Sequence, residues 1–252
     1  MSINLALILT ILTVLASVVV AMDKMVWKTA EQDSRKAPTA LTTLVEYSRS
    51  FLPVLLFVLI IRSFIFEPFR IPSGSMKPTL VVGDFIFVKK YSYGLRLPVT
   101  ETKIIETGEP QRGDVVVFRL PADPRVNYIK RVIGLPGDEV RLERQRLTIN
   151  GVMADLKVNG ETFDGAPVYV ENLDGRIHET LIHNPGRSKQ DGVYIVPEGE
   201  YFVMGDNRDR SKDSRYIGPI PEKFLVGEAV RIWMNFRPWD APDWGRIGRK
   251  IE

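Results

Sequence analysis

Asp114-Val115-Val116-Val117-Phe118-Arg119 decides the fold: four β-branched or aromatic residues in a row, closed by charges, read as a strand. Asp84-Phe85-Ile86-Phe87-Val88-Lys89 and Tyr201-Phe202-Val203-Met204 have the same character. Leu147-Thr148-Ile149-Asn150-Gly151-Val152 reads as a hairpin turning at Asn-Gly. Gly, Pro, Asn and Asp clusters bound these runs, with further turns expected at Asn159-Gly160, Asp164-Gly165, Asp174-Gly175 and Asp191-Gly192. Helical periodicity is weak beyond Glu67. Residues 67–252 are therefore expected to be mainly β, built of packed antiparallel sheets, with a more polar insertion hanging off them at about 143–197.

Two apolar blocks precede this region. Ile3 to Met22 carries no charged side chain, and at ~1.5 Å rise per residue such a run crosses a ~30 Å hydrocarbon core. A cleavable signal peptide is the competing reading, but no Lys or Arg precedes the run. A first transmembrane helix over 1–22 is expected. Asp23 to Ser50 is polar and holds Lys24, Lys28, Arg35, Lys36 and Arg49. The positive-inside rule puts this 23–50 loop in the cytoplasm. Phe51 to Phe66, broken by Arg62 and Ser63, is expected as the second span at 51–66, a buried soluble helix being its alternative. Arg62 can snorkel to the interface, where Phe64, Phe66 and Phe69 also fit. Two spans place both termini and residues 67–252 outside the cytoplasm.

The chain has 252 residues, 44% of them hydrophobic, and a formal net charge of +3. No basic stripe interleaves with aromatics, so nucleic acid is not an expected partner, whereas the lipid bilayer is. With no cysteine and only two histidines, thiol nucleophiles, disulfides and thiolate metal sites are excluded.

Serine and lysine remain for nucleophilic chemistry. Ile71-Pro72-Ser73-Gly74-Ser75-Met76-Lys77-Pro78-Thr79 lies directly behind the second apolar block. An ordinary polar loop is the bland reading. However, the two prolines restrict the backbone, and Gly74 permits a tight turn presenting the Ser75 hydroxyl. Backbone N–H groups there, with the Ser73 hydroxyl, can face a developing oxyanion. Lys130 follows in Asn127-Tyr128-Ile129-Lys130-Arg131-Val132-Ile133-Gly134. Strand alternation puts Tyr128, Lys130 and Val132 on one face. To serve as a base near neutral pH, Lys130 must fall about three units from ~10.4, about 4 kcal/mol, through desolvation. Met204-Gly205-Asp206-Asn207-Arg208-Asp209-Arg210-Ser211-Lys212-Asp213-Ser214-Arg215 is read as support, its spacing lacking the Gly and Glu of a calcium loop. Ser211 is expected to hydrogen-bond the amine, and Asp213 with Arg215 to form an ion pair fixing the loop.

Taken together, these segments resemble the type I signal peptidases. The resemblance covers both apolar blocks, the 72–76 and 130–138 segments, Arg112–Phe118, Gly205–Arg215 and Trp233-Met234-Asn235-Phe236. It is weakest over 143–197. It implies a serine endopeptidase with Ser75 as nucleophile and Lys130 as general base. Ser73 and the Ser75 amide would form the oxyanion hole, and Ser211, Asp213, Arg215, Asp206 and Arg208 would be supporting residues. Met76, beside the nucleophile, and Tyr128, on the face of Lys130, are expected to touch substrate. No metal or cofactor is implied. The partners would be preproteins bearing signal peptides, cut after small residues such as Ala. The protein would be a monomer in the inner membrane, its catalytic domain on the extracytoplasmic side. Two rivals stand beside this reading: a membrane-anchored, non-catalytic binder of exported peptides, and a Ser/Lys self-cleaving regulator.

Overall fold

The computed structural model describes residues 5–27, 39–97, 100, 102–186, 190–237 and 241–252. It falls into two units, residues 1–66 with 95–105, and residues 67–94 with 106–252.

The first unit contains helices α1 (Leu5–Met22) and α2 (Ala40–Ile60), each prolonged by a π-helical turn, Asp23–Trp27 and Ile61–Ile65. Both are long and apolar enough to cross a bilayer, and only 17% and 6% of their apolar windows are buried. A soluble core helix would be covered. Here Val14, Leu15, Phe51, Val54 and Phe57 stand exposed. The second helix begins at Ala40, not at the expected Phe51. Thr39 and Thr42 form a capping box, Thr42 N–H donating to Thr39 Oγ1 at 3.3 Å and Thr39 N–H to Thr42 Oγ1 at 2.8 Å. That box starts the helix inside the stretch expected to be a loop. Of that loop, residues 28–38 lie outside the described residues. Arg49 Nη2 pairs with Asp23 Oδ2 at 2.7 Å, joining α2 to the turn after α1.

The strands are β1 (Phe66–Arg70), β2 (Asp84–Lys89), β3 (Leu95–Arg96), β4 (Lys103–Ile105), β5 (Val115–Leu120), β6 (Asp123–Gly134), β7 (Glu139–Glu143) and β8 (Arg146–Ile149). They continue as β9 (Val152–Met153), β10 (Asp155–Phe163), β11 (Ala166–Leu173), β12 (Arg176–Leu181), β13 (Gly192–Ile195), β14 (Glu200–Met204), β15 (Ile220–Pro221) and β16 (Leu225–Asn235). In the second unit, a seven-stranded sheet runs β1-β2-β16-β5-β6-β14-β15, antiparallel from β2 onward. The mainly β, antiparallel expectation holds. Val115, Val117 and Ile129 pack into one core cluster with Ile86, Val88 and Ile232. Val116, Phe118 and Val132 pack into another with Tyr201 and Val203. Strand β5 is thus covered on both faces, the physical reason its apolar residues run consecutively rather than alternating.

The polar stretch is no appendage. It forms a four-stranded sheet, β13-β7-β8-β9, and a three-stranded sheet, β10-β11-β12. Leu142, Leu147, Ile149, Leu173 and Val196 share a core with Ile133, Phe202 and Met204 of the main sheet. Asp164-Gly165 and Asp174-Gly175 make the expected two-residue turns on either side of β11. All four residues take positive φ, as such turns require. Asn159-Gly160 does not turn the chain. It lies within β10, where the register slips between Val158 and Thr162, and Gly160 at φ 83° makes an irregularity instead.

Candidate active site

Ser75 sits in the connection from β1 to β2. Met76 and Leu80 anchor that connection, both fully buried in the cluster with Ile71, Ile86, Val117 and Ile129. Met76 was expected at the substrate cleft; it has no exposed surface. Its apolar thioether gains more by filling the core under the turn than by facing water. With it buried there, the neighbouring Ser75 faces the amine of Lys130.

Lys130 is on β6, and it and Ser75 are 4% and 8% exposed. Lys130 Nζ lies 2.7 Å from Ser75 Oγ and donates to Ile129 O at 2.7 Å. Burial pulls the amine down to about 8 from 10.5; the Asp213 and Asp206 carboxylates push it back up, and Arg215 lowers it. Ser73 Oγ is 3.4 Å from Ser75 Oγ. Tyr128 is half-buried on the same strand, its ring centre 5.4 Å from Lys130 Nζ and tilted against Phe118.

The 204–215 segment wraps this pair. Asn207 Nδ2 donates to Gly74 O at 3.0 Å, and Asn207 N–H to Ser75 O at 3.1 Å. Asp206 takes both arms of Arg131, Nε to Oδ1 at 2.8 Å and Nη2 to Oδ2 at 2.7 Å, plus the Thr79 hydroxyl at 2.6 Å. Burial would raise the Asp206 carboxyl, but Arg131 overcomes it and holds it below the usual carboxylate range. The expected Asp213–Arg215 pair is present and buried, at 2.7 and 2.8 Å. Asp213 Oδ2 also accepts the Gly205 N–H, and Arg215 Nη2 donates to Arg208 O. Arg208 forks onto Glu171 of β11. Burial pushes the Glu171 carboxyl up, and Arg208 reverses that and keeps it ionised. His178 Nε2 is 3.2 Å from Glu171 Oε2 without hydrogen-bond alignment, and burial lowers that imidazole below its ordinary value against the opposing pull of Glu171.

Ser211 departs from expectation. Its buried hydroxyl has no hydrogen-bond partner among the described residues, while Lys130 bonds Ile129 and Ser75 instead. Ser211 is packed on Gly205: a Cβ placed there would meet Ser211 Oγ at 2.3 Å and Ser75 O at 2.5 Å. Asn207, Arg131, Thr79 and Glu171 were given no role from the sequence. Asn207 lay inside a segment already singled out, but its contact with Gly74 spans 133 residues and only folding brings the two together.

The arrangement offers a hydroxyl beside a buried amine of lowered basicity, set in a frame of ion pairs. The family model for signal peptidase, peptidase S26, matches residues 44–234. The chain is 51% identical over 223 residues to the signal peptidase I of Pseudomonas fluorescens, covering 81% of this chain and 78% of that one. It is 48% identical over 225 residues to the signal peptidase I of Pseudomonas aeruginosa, with the same coverage. A solved signal peptidase I from Enterococcus faecalis V583 aligns at 30% identity over 48% of this chain and 96% of its own, with a TM-score of 0.32. Nothing in these comparisons favours a non-catalytic peptide binder. By the family match and the two Pseudomonas relatives, the chain belongs to the signal peptidase family, peptidase S26.

Proposed function

We propose that this membrane-bound serine endopeptidase removes signal peptides from exported preproteins with Ser75 as nucleophile and Lys130 as general base. The observation that carries the assignment is the 2.7 Å separation of a buried amine and a buried hydroxyl. The neutral amine takes the Ser75 proton while Oγ attacks the scissile carbonyl carbon. The Ser75 amide and Ser73 hydroxyl stabilise the oxyanion. The C–N bond breaks, Lys130 returns the proton to the leaving amine, and an acyl-enzyme remains on Oγ. Water then attacks the acyl carbon, giving its proton to Lys130, and Oγ departs reprotonated.

With the amine near 8, roughly one in ten molecules holds it neutral at pH 7. A substrate covering the site excludes more water and enlarges that fraction. Substrate adds as an extended strand, with small residues such as Ala entering shallow pockets. Tyr128, half-buried beside the amine, flanks that strand. Asp206, Arg208, Asp213 and Arg215 hold the frame.

The protein acts as a monomer in the inner membrane. α1 and the apolar part of α2 from Phe51 onward are its spans, the basic stretch 23–50 between them, which includes the first turns of α2, is cytoplasmic, and the β-rich unit is extracytoplasmic, an orientation supported by Lys24, Lys28, Arg35, Lys36 and Arg49. Incubating the detergent-solubilised full chain with a preprotein and weighing the products tests the reaction. Cleavage after a small residue is expected. Ser75→Ala and Lys130→Ala should each lower it at least ~10³-fold, and wild-type processing by either would refute the pair.

A further inference from the structure

The inserted three-stranded sheet reaches the site through two carboxylates, Asp164 and Glu171, to which the reaction just described gives no part. At the β10–β11 turn, Asp164 forms an ion pair with Lys77, whose Nζ also stands 5.8 Å from the centre of the Phe163 ring. Lys77 is two residues past Ser75, and its stem closes over the turn: a Cβ built on Gly74 would meet Lys77 Cε at 3.2 Å and Cδ at 3.3 Å. Further along the hairpin, on β11, Glu171 receives Arg208, with Nη1 donating to Oε1 at 2.8 Å and Nη2 to Oε2. Both side chains are 1% exposed. Arg208 follows Asn207, the residue bonded to Gly74 O and Ser75 O, and its carbonyl receives Arg215. One hairpin therefore supplies a carboxylate to Lys77, two residues past Ser75, and another to Arg208, next to the Asn207 that holds Gly74 O and Ser75 O.

We propose that the β10–β11 hairpin is a positioning element for Ser75, with Glu171 acting through Arg208 and Asp164 acting through Lys77. The proposal rests on the reading of Ser75 as nucleophile. A buried, two-pronged guanidinium–carboxylate pair permits little angular freedom, so Glu171 is the stronger restraint. The half-exposed Asp164–Lys77 pair is screened by water and is the weaker one. A displacement of about 1 Å in a reacting group costs up to ~10²-fold in rate, so loosening either restraint lowers kcat more than it raises KM.

The test is steady-state cleavage of a preprotein by the full, detergent-solubilised chain, with thermal unfolding followed in parallel. Glu171→Gln keeps the shape and removes the charge; kcat falls about tenfold while KM stays within about twofold. Asp164→Asn lowers kcat about threefold, and the exchanged pair Lys77→Asp with Asp164→Lys restores it, with unfolding temperatures of both near wild type. Folded Glu171→Gln and Asp164→Asn enzymes working at the wild-type kcat overturn the proposal. So does a kcat that falls only with the folded fraction. Should Glu171→Gln fail to fold, the Asp164 series decides alone, and full-rate Asp164→Asn overturns it. Ser75→Ala separates the two readings. Activity in that variant removes the nucleophile, whereas an inactive Ser75→Ala beside full-rate hairpin variants removes only the positioning role.

Discussion

Asn207 and Gly74, 133 residues apart, are joined by a side-chain hydrogen bond of 3.0 Å, Nδ2 to carbonyl O, one residue ahead of Ser75. A second bond, Asn207 N–H to Ser75 O at 3.1 Å, makes the link two-point. The segment holding the acidic and basic frame thus also fixes the backbone that presents the hydroxyl.

Asn207→Ala removes the side-chain donor and leaves the backbone bond. The expected result is a roughly fivefold lower kcat with KM within about twofold, since one hydrogen bond of ~1 kcal/mol is lost from positioning and not from substrate contact. Steady-state kinetics on a preprotein check it. An unchanged kcat would show that the backbone bond suffices.

The pH profile follows from the lowered basicity of Lys130. Only the neutral amine accepts the serine proton, so kcat/KM should rise with pH and level off above an apparent value near 8. Below it, activity should drop about tenfold per pH unit. Lys130→Arg should be inactive across the range, because a guanidinium does not deprotonate in proteins.

Gly205 has no room for a side chain. Gly205→Ala places a carbon 2.3 Å from Ser211 Oγ and 2.5 Å from Ser75 O, so the serine backbone or Ser211 must move. Activity is expected to fall ~10²-fold, with about 1–3 kcal/mol lost from stability. Kinetics with urea unfolding measure both.

The Arg131–Asp206 pair makes stability fall in acid. The Asp206 carboxyl is raised by burial but held below its ordinary 3.8 by Arg131. Its contribution is therefore complete above pH ~4 and is lost as pH drops further. Asp206→Asn leaves Arg131 buried and unpaired, costing about 3–5 kcal/mol at pH 7. That gap should narrow below pH ~4, as unfolding curves of both proteins at several pH values would show.

Much of this was legible because local pattern carries it. β2 begins and ends where its apolar run, closed by Asp84 and Lys89, does, and β5 is shifted by one residue from the run that announced it. The segments holding Ser75 and Lys130 stand out through the family resemblance of several segments taken together, since a lone lysine on an apolar strand face is usually an edge or surface residue. What stayed hidden depends on contacts between distant segments. Met76 reads like a residue beside a cleft, yet the turn that exposes Ser75 drives its neighbour into the core. The start of α2 was concealed by Glu46, Tyr47 and Arg49, whose polarity suggests a loop, while the signal lay in the Thr39/Thr42 capping pair. Glu171 and Asp164 gave no hint of the site, because only the packing of the inserted sheet brings them to Arg208 and Lys77. The 204–215 segment suggests Ser211 as a partner of the amine, but its hydroxyl packs against Gly205 without a hydrogen bond among the described residues.

The central claim is that Lys130, beside Ser75, is uncharged often enough to act as a base. Titrating its side chain directly, by NMR of lysine labelled at Cε in the detergent-solubilised protein and assigned with Lys130→Ala, tests this most closely. The account predicts a midpoint near 8; a midpoint at the ordinary lysine value of about 10.4 would contradict it.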